Sequence, residues 1–125
     1  MAPRILVADD DPASLALVAR AIERTGCTVY RADDGDELLQ AIAEHGPFDV
    51  IVTDVAMPWM TGLQVAQSAR IAGDTTPVIV MTASRIPPRE VDALGGKAVL
   101  LRKPFRVTQL ISALRQMLPQ QATRR

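Results

Sequence analysis

Four short stretches of the chain are almost continuously apolar: Ile5-Leu6-Val7-Ala8, Val50-Ile51-Val52-Thr53, Val78-Ile79-Val80-Met81 and Ala98-Val99-Leu100-Leu101. A fifth stretch, residues 27–32, is the least apolar of the set. Between them the apolar positions change period. Leu15, Val18, Ala19 and Ile22 recur at helical spacing, as do Leu38, Leu39 and Ile42, then Leu63, Ala66 and Ala69, and finally Val107, Leu110, Ile111, Leu114 and Leu118. Uninterrupted apolar runs between turn signals read as buried parallel strands, and i, i+3, i+4 spacing reads as amphipathic helix. Punctuation falls where this reading needs it. Asp11-Pro12 supplies an N-cap and a first-turn proline, Gly26 ends the first helix, and Gly46-Pro47 breaks the second, which runs from about Gly35 to Glu44. The third helix starts near Gly62 after a loop, and Gly73 and Pro77 bracket the turn into the fourth strand. Pro87-Pro88 and Gly95-Gly96 confine the fourth helix to about two turns. Pro119 stops the fifth. Strand and helix alternating five times predict a three-layer α/β/α sandwich around a parallel sheet with right-handed crossovers. The second strand, being least apolar, belongs at a sheet edge.

Polar residues follow the apolar runs: Asp9-Asp10, Asp54, Thr82 and Lys103. Ligands of open α/β sheets bind just outside the carboxyl ends of the strands. One edge therefore gathers three carboxylates, a hydroxyl and an ammonium. Three ionised acids held together repel one another, and an oxygen-rich, water-accessible site with few protein ligands relieves that repulsion with Mg²⁺. Asp9 and Asp10 cannot converge while the strand continues, because successive side chains alternate. They must sit where the backbone turns. Asp11 is an N-cap rather than a ligand. Asp54 stands alone and is the nucleophile candidate, since a carboxylate can attack phosphorus. Phosphoryl transfer needs positioning and cations more than a strong base. The metal, the Lys103 ammonium and the Thr82 hydroxyl would each take a phosphoryl oxygen, with small Ala83 leaving room for the donor.

Composition narrows the partners. The 125 residues carry 14 basic and 14 acidic side chains, a balance without the basic footprint of a nucleic-acid binder. Cys27 is the only cysteine, so no disulfide framework is expected and the thiol reads as a small core residue. No apolar run approaches the roughly 20 residues of a membrane span. Met1-Ala2-Pro3-Arg4 leads directly into a strand and leaves no room for a signal peptide. The expectation is a cytoplasmic protein with no membrane or nucleic-acid partner. His45 reads as a surface histidine favoured at a helix C-terminus.

Taken in order, Ile5-Leu6-Val7-Ala8-Asp9-Asp10-Asp11-Pro12, Asp54-Val55-Ala56-Met57-Pro58 with Gly62, Met81-Thr82-Ala83 and Lys103-Pro104-Phe105 resemble the receiver domain of two-component response regulators, over about residues 4–118. The resemblance implies a flavodoxin-like (βα)5 fold with strand order 2-1-3-4-5, a receiver over residues 1–119 and a polar tail over 120–125. It implies Asp54 as phosphoacceptor, with Asp9, Asp10, Asp54 and the Ala56 backbone carbonyl holding Mg²⁺. Thr82 would be the switch hydroxyl, Lys103 the phosphate-binding lysine, and Lys103-Pro104 a cis peptide. The implied partner is a histidine kinase or histidine phosphotransfer protein. The face formed by the fourth helix, fifth strand and fifth helix would serve a downstream protein target or dimerisation. No enzymatic activity beyond its own phosphorylation and dephosphorylation is implied.

Two features depart from the family. Leu100 stands where receivers usually carry a switch aromatic, and the proline-led fourth helix lies in the same region. Together they predict intact phosphorylation chemistry with an atypical output. Ala56 and Ser84 occupy positions that tune aspartyl-phosphate lifetime in the family, and neither carries a group that would orient attacking water. Trp59 reads as a partner contact or a loop-packing residue. Two rival readings remain open at this level: a pseudo-receiver that binds partners without being phosphorylated, and an aspartyl-phosphate hydrolase, for which the chain has neither a general base beside Asp54 nor an insertion long enough for a cap.

Overall fold

The computed structural model describes residues 2–55, 76–83 and 98–118. Within them lie five strands, β1 (Arg4–Ala8), β2 (Thr28–Ala32), β3 (Val50–Asp54), β4 (Val78–Thr82) and β5 (Ala98–Arg102), and three helices, α1 (Pro12–Glu23), α2 (Gly35–His45) and α3 (Val107–Met117). The helix α3 is the fifth in the sequence reading. The third and fourth helices expected there, and the tail from 120, fall outside the described residues.

All strand pairs are parallel and the order is β2-β1-β3-β4-β5. The period-2 alternation of each strand divides its side chains between two cores. Ile5, Val7, Val50, Val52, Ile79 and Met81 face one cluster with Leu15, Val18 and Ile22 of α1 and Leu110, Leu114 and Met117 of α3. Leu6, Ala8, Ile51, Val78 and Val80 face the other with Leu38 of α2 and Phe48. Apolar residues on both faces explain why these strands read as unbroken runs, and every position of β3 and β4 is buried. The less apolar β2 is indeed an edge, with Thr28 and Arg31 exposed.

Local chemistry sets the helix boundaries. The Asp11 carboxylate accepts the Ala13 N–H at 3.1 Å, so one orphan donor of α1 is satisfied. Asp11→Ala should therefore cost about 1 kcal/mol of stability, seen as a lower urea midpoint. At α2 the Asp34 carboxylate accepts the Glu37 N–H at 2.7 Å, while Glu37 reaches back to the Asp33 N–H at 2.8 Å. Gly26, in the turn from α1 to β2, has φ +95°, a conformation that side-chain-bearing residues seldom adopt. A Cβ on Gly46 would lie 2.5 Å from the Ile42 carbonyl oxygen, so glycine is required there too. Cys27 is buried just ahead of β2, its sulfur 3.3 Å from the Thr25 hydroxyl.

Two details of the periodic reading change. Val107 does not join the buried face of α3 and is 46% exposed. The buried stripe is Leu110, Ala113, Leu114 and Met117, an i, i+3, i+4, i+7 set that leaves Val107 at the helix's first position. Helix α2 runs one residue past Glu44 to His45, and Leu39 and Ile42 are only half-buried. His45 is exposed as expected, its ring 5.1 Å from that of Tyr30. Arg4 lies over the rings of Tyr30 and Phe48 and donates to the Pro47 carbonyl and the Tyr30 hydroxyl, which ties the segment after α2 to the start of β1 and the middle of β2.

Candidate functional site

A parallel sheet delivers all its carboxyl ends to one edge, and each site residue arrives there at or just beyond the end of its strand. Asp54 and Thr82 are the last residues of β3 and β4. Asp9 and Asp10 follow β1, and Lys103 follows β5. Backbone bonds carry the ladder slightly further: Asp9 N–H to Ala32 O at 3.1 Å, Val55 N–H to Met81 O at 3.0 Å and Lys103 N–H to Thr82 O at 2.7 Å. The side chains are thus mounted on paired backbone rather than on free loops.

Asp9 is 0% exposed, Thr82 2% and Asp54 7%, whereas Asp10 is exposed. One carboxylate oxygen from each of Asp9, Asp10 and Asp54 lies within 4.8 Å of the others. The turn after Ala8 lets adjacent Asp9 and Asp10 converge, as the alternation of side chains along a strand requires. Lys103 Nζ sits 3.0 Å from Asp9 Oδ2 and 3.5 Å from Asp54 Oδ2. The other oxygen of Asp9, Oδ1, accepts the Asp11 N–H at 3.0 Å.

These contacts set the charge states. Burial alone would push the Asp9 carboxyl up, but the Asp11 N–H, the Ser14 hydroxyl and Lys103 outweigh it and hold the group below its ordinary value. Burial likewise pushes Lys103 down, yet Asp9 and Asp54 more than compensate and raise it. Both partners therefore stay ionised across the neutral range. Carboxylate oxygens gathered from three acids suit a hard divalent cation.

The structure brings together Asp9, Asp10, Asp54 and Lys103, with buried Thr82 ending the strand next to that of Asp54. Ala56, Trp59 and Ser84 lie outside the described residues, while Ala83 is exposed. Two contributions were missed in the sequence. Asp11 clamps Asp9 through its backbone N–H as well as capping α1 through its carboxylate; an aspartate bonding the backbone two residues on is a common local turn, so Asp9-Asp10-Asp11-Pro12 held that signal. The link from Lys103 to Asp9 had none.

The model of the response regulator receiver domain matches residues 5–115. The chain belongs to this family. As a receiver it is 40% identical over 119 residues to "Response regulator MprA" of Mycobacterium ulcerans, a match covering 94% of this chain and 51% of the relative. The protein of that name in Mycobacterium tuberculosis is 39% identical over the same length. The chain thus spans about half the length of the curated relatives it matches. Among solved structures, the chemotaxis protein CheY4 of Vibrio cholerae superposes with a TM-score of 0.85 at 30% identity, over 94% of this chain and 100% of the other. The Francisella response regulator 1452 receiver domain gives 0.82 at 32% identity, over 92% and 95%. The receiver's flavodoxin-like order also accounts for the site's place. The connection from β1 runs to β2 on one side and the chain returns to β3 on the other, opening a crevice between the ends that carry Asp9 and Asp54. The Lys103-Pro104 peptide is cis, as is Gly46-Pro47. Among the described residues no helix is long and apolar enough to cross a membrane.

Proposed function

We propose that this receiver accepts a phosphoryl group on the Asp54 carboxylate, from a histidine kinase or histidine phosphotransfer protein, in a Mg²⁺-dependent reaction. The observation that carries this reading is the setting of Asp54: buried at the end of β3, 3.5 Å from the Lys103 ammonium and within 4.8 Å of the Asp9 and Asp10 oxygens. An Asp54 oxygen attacks phosphorus as the bond from phosphorus to the donor's imidazole nitrogen breaks, and the imidazole keeps the electron pair. Charge spreads over the equatorial oxygens in such a transfer. Lys103 would offset part of it, and the Thr82 hydroxyl would donate to another oxygen. Asp9, Asp10 and Asp54, with the Ala56 carbonyl, would hold the metal. When bound, Mg²⁺ would draw off phosphoryl charge and relieve the mutual repulsion of the acids.

The same reading treats residues 1–119 as the receiver unit with 120–125 as a polar tail, and places the protein in the cytoplasm. Ala56 and Ser84 lack groups that would activate water, so the adduct should be long-lived and the protein should not act as a phosphatase. Output is the unusual part. Leu100 is half-buried, paired in register with Val80 and packed on the cluster that contains it. An aliphatic side chain in that place has neither a ring to turn inward nor a hydroxyl to hydrate outside. Phosphorylation should therefore rearrange the face of the fourth helix, β5 and α3 only weakly. Backbone NMR shifts with and without a phosphoryl analogue check this, and large shifts across residues 85–101 would refute it.

The test of the main reading is direct. The protein is incubated with Mg²⁺ and a small phosphodonor, and its intact mass is followed. One stable phosphoryl group per chain supports the receiver reading. No adduct supports a pseudo-receiver, and rapid donor turnover without an adduct supports a hydrolase.

A further inference from the structure

The sheet has an open side at β2. Thr28 donates its N–H to the Pro3 carbonyl at 2.8 Å, and the Ala32 carbonyl accepts the Asp9 N–H at 3.1 Å. The backbone groups of Thr28, Tyr30 and Ala32 therefore point towards β1, because alternate residues of a parallel ladder point to opposite sides. Those of Val29 and Arg31 point outward, and among the described residues no strand lies beyond β2. Asp33, next in the outward series, already gives its N–H to the Glu37 carboxylate at 2.8 Å. The open edge is thus confined to the middle of β2. Unpaired backbone groups on an edge strand are a template for an added strand.

Beside this edge, on the α2 side of the sheet, runs an open groove of about 240 Å³ lined by Tyr30, Glu37, Gln40, Glu44 and His45. Its polar wall is acidic. From Asp33 to His45 the chain carries Asp33, Asp34, Asp36, Glu37 and Glu44, and neither lysine nor arginine. The two arginines near Tyr30 have other partners. Arg31 pairs with Glu23 at 3.4 Å, and Arg4 donates to the Pro47 carbonyl and the Tyr30 hydroxyl. The Asp33 N–H draws the Glu37 carboxyl down, but the Asp33 side chain, burial and the charges of Asp33 and Asp34 outweigh it and hold the group above its ordinary value.

We propose that the outer edge of β2 and this groove form one docking site for an extended segment of a partner protein that carries a lysine or arginine. The segment adds to β2 as a further strand. Its backbone bonds to the N–H and C=O of Val29 and Arg31, and every second side chain points to the α2 side. There a basic side chain lays its apolar stem against Tyr30 and brings its charge to Glu37 and Glu44. Main-chain bonds supply affinity, and the acidic wall selects the partner. A second copy of this chain fits the edge less well. Antiparallel pairing of two β2 edges about a two-fold axis sets the two α2 helices side by side, with Glu37 and Glu44 of each copy facing those of the other. The site is separate from the carboxylate cluster, so the inference stands whether or not Asp54 accepts a phosphoryl group.

The test titrates the full 125-residue chain with short end-blocked peptides, followed by fluorescence anisotropy and amide NMR shifts. One peptide alternates threonine and valine around a central lysine. A second has glutamate at the centre, and a third is the lysine peptide with alternate backbone nitrogens methylated. The lysine peptide should bind about tenfold more tightly than the glutamate peptide at low salt, an advantage that shrinks as salt rises. The largest amide shifts should fall on Val29 and Arg31, and methylation should remove binding. Glu37→Gln combined with Glu44→Gln should erase the preference for lysine, while the glutamine at 37 still accepts the Asp33 N–H and keeps the start of α2. Glu44→Gln alone, with about a threefold loss of preference, serves where the double variant does not fold. No binding by the lysine peptide, equal binding of the lysine and glutamate peptides, undiminished binding after methylation, or shifts centred away from β2 and α2 overturn the inference. So does dimerisation that protects the Val29 and Arg31 amides without peptide, which assigns the edge to a second copy.

Discussion

Asp54→Asn should leave the receiver folded and abolish its phosphoryl adduct. The substitution keeps the shape of the side chain and replaces a nucleophilic carboxylate with an amide, whose nitrogen lone pair is delocalised and whose oxygen does not form a stable phosphoester. Asp54 is the acceptor in the proposed function and would supply the attacking atom, so the expected loss exceeds that at any neighbouring residue. Two effects on stability oppose each other. The variant loses the 3.5 Å contact with Lys103, and it also removes one of three carboxylates clustered within 4.8 Å. Like charges that close destabilise the fold, so the net change should stay within about 1 kcal/mol, close to what a part-exposed ion pair contributes. Lys103 keeps its 3.0 Å bond to Asp9 in either case. Intact mass after treatment with Mg²⁺ and a small phosphodonor reads the first effect, and a urea titration reads the second. An adduct at the parent's level would locate the acceptor elsewhere.

Ile79→Ala should be the most destabilising of the single changes considered, at about 3–4 kcal/mol. Ile79 lies on β4, is 0% exposed, and packs in the cluster shared by the sheet, α1 and α3. Truncation removes three carbons from that cluster and leaves a cavity, since packing from the sheet and two helices cannot close over a strand held by ladder bonds on both sides. The flanking strands β3 and β5 keep Ile79 in register with Val52 and Val99, so the strand cannot slide to fill the space. The measurement is a urea midpoint that falls with an unchanged slope, the signature of lost stability without a changed unfolded state. A loss under about 1 kcal/mol would mean that the site collapses freely around the smaller side chain.

Much of the receiver is legible in its sequence. Unbroken runs such as Val78-Ile79-Val80-Met81 identify strands buried on both faces, because a parallel sheet covered by helices leaves no face for polar side chains. Asp11 was legible as an N-cap and Gly26 as a helix stop, since both act through local backbone geometry. Placing Asp54, Thr82 and Lys103 at one edge required only that the strands be parallel. The order of those strands did not come from periodicity; it came from the resemblance, and the structure agrees. Val107 was misplaced for a related reason. Its spacing fits the apolar stripe of α3, but spacing alone does not say where along a helix the contact with the rest of the protein begins.

What the sequence by itself determined is the set of chemical groups and the edge on which they meet: acids after the first and third strands, a hydroxyl after the fourth and a lysine after the fifth. Those follow from local pattern and from the single direction of a parallel sheet. What only the tertiary structure decided is which group holds which. Lys103 and Asp9 are 94 residues apart in the chain, and β3 and β4 lie between their strands. Their 3.0 Å bond exists because the folded edge excludes water from Asp9 and leaves a buried carboxylate that must find a cation or a donor. No periodicity encodes that demand; it arises when the sheet closes, and Lys103 meets it.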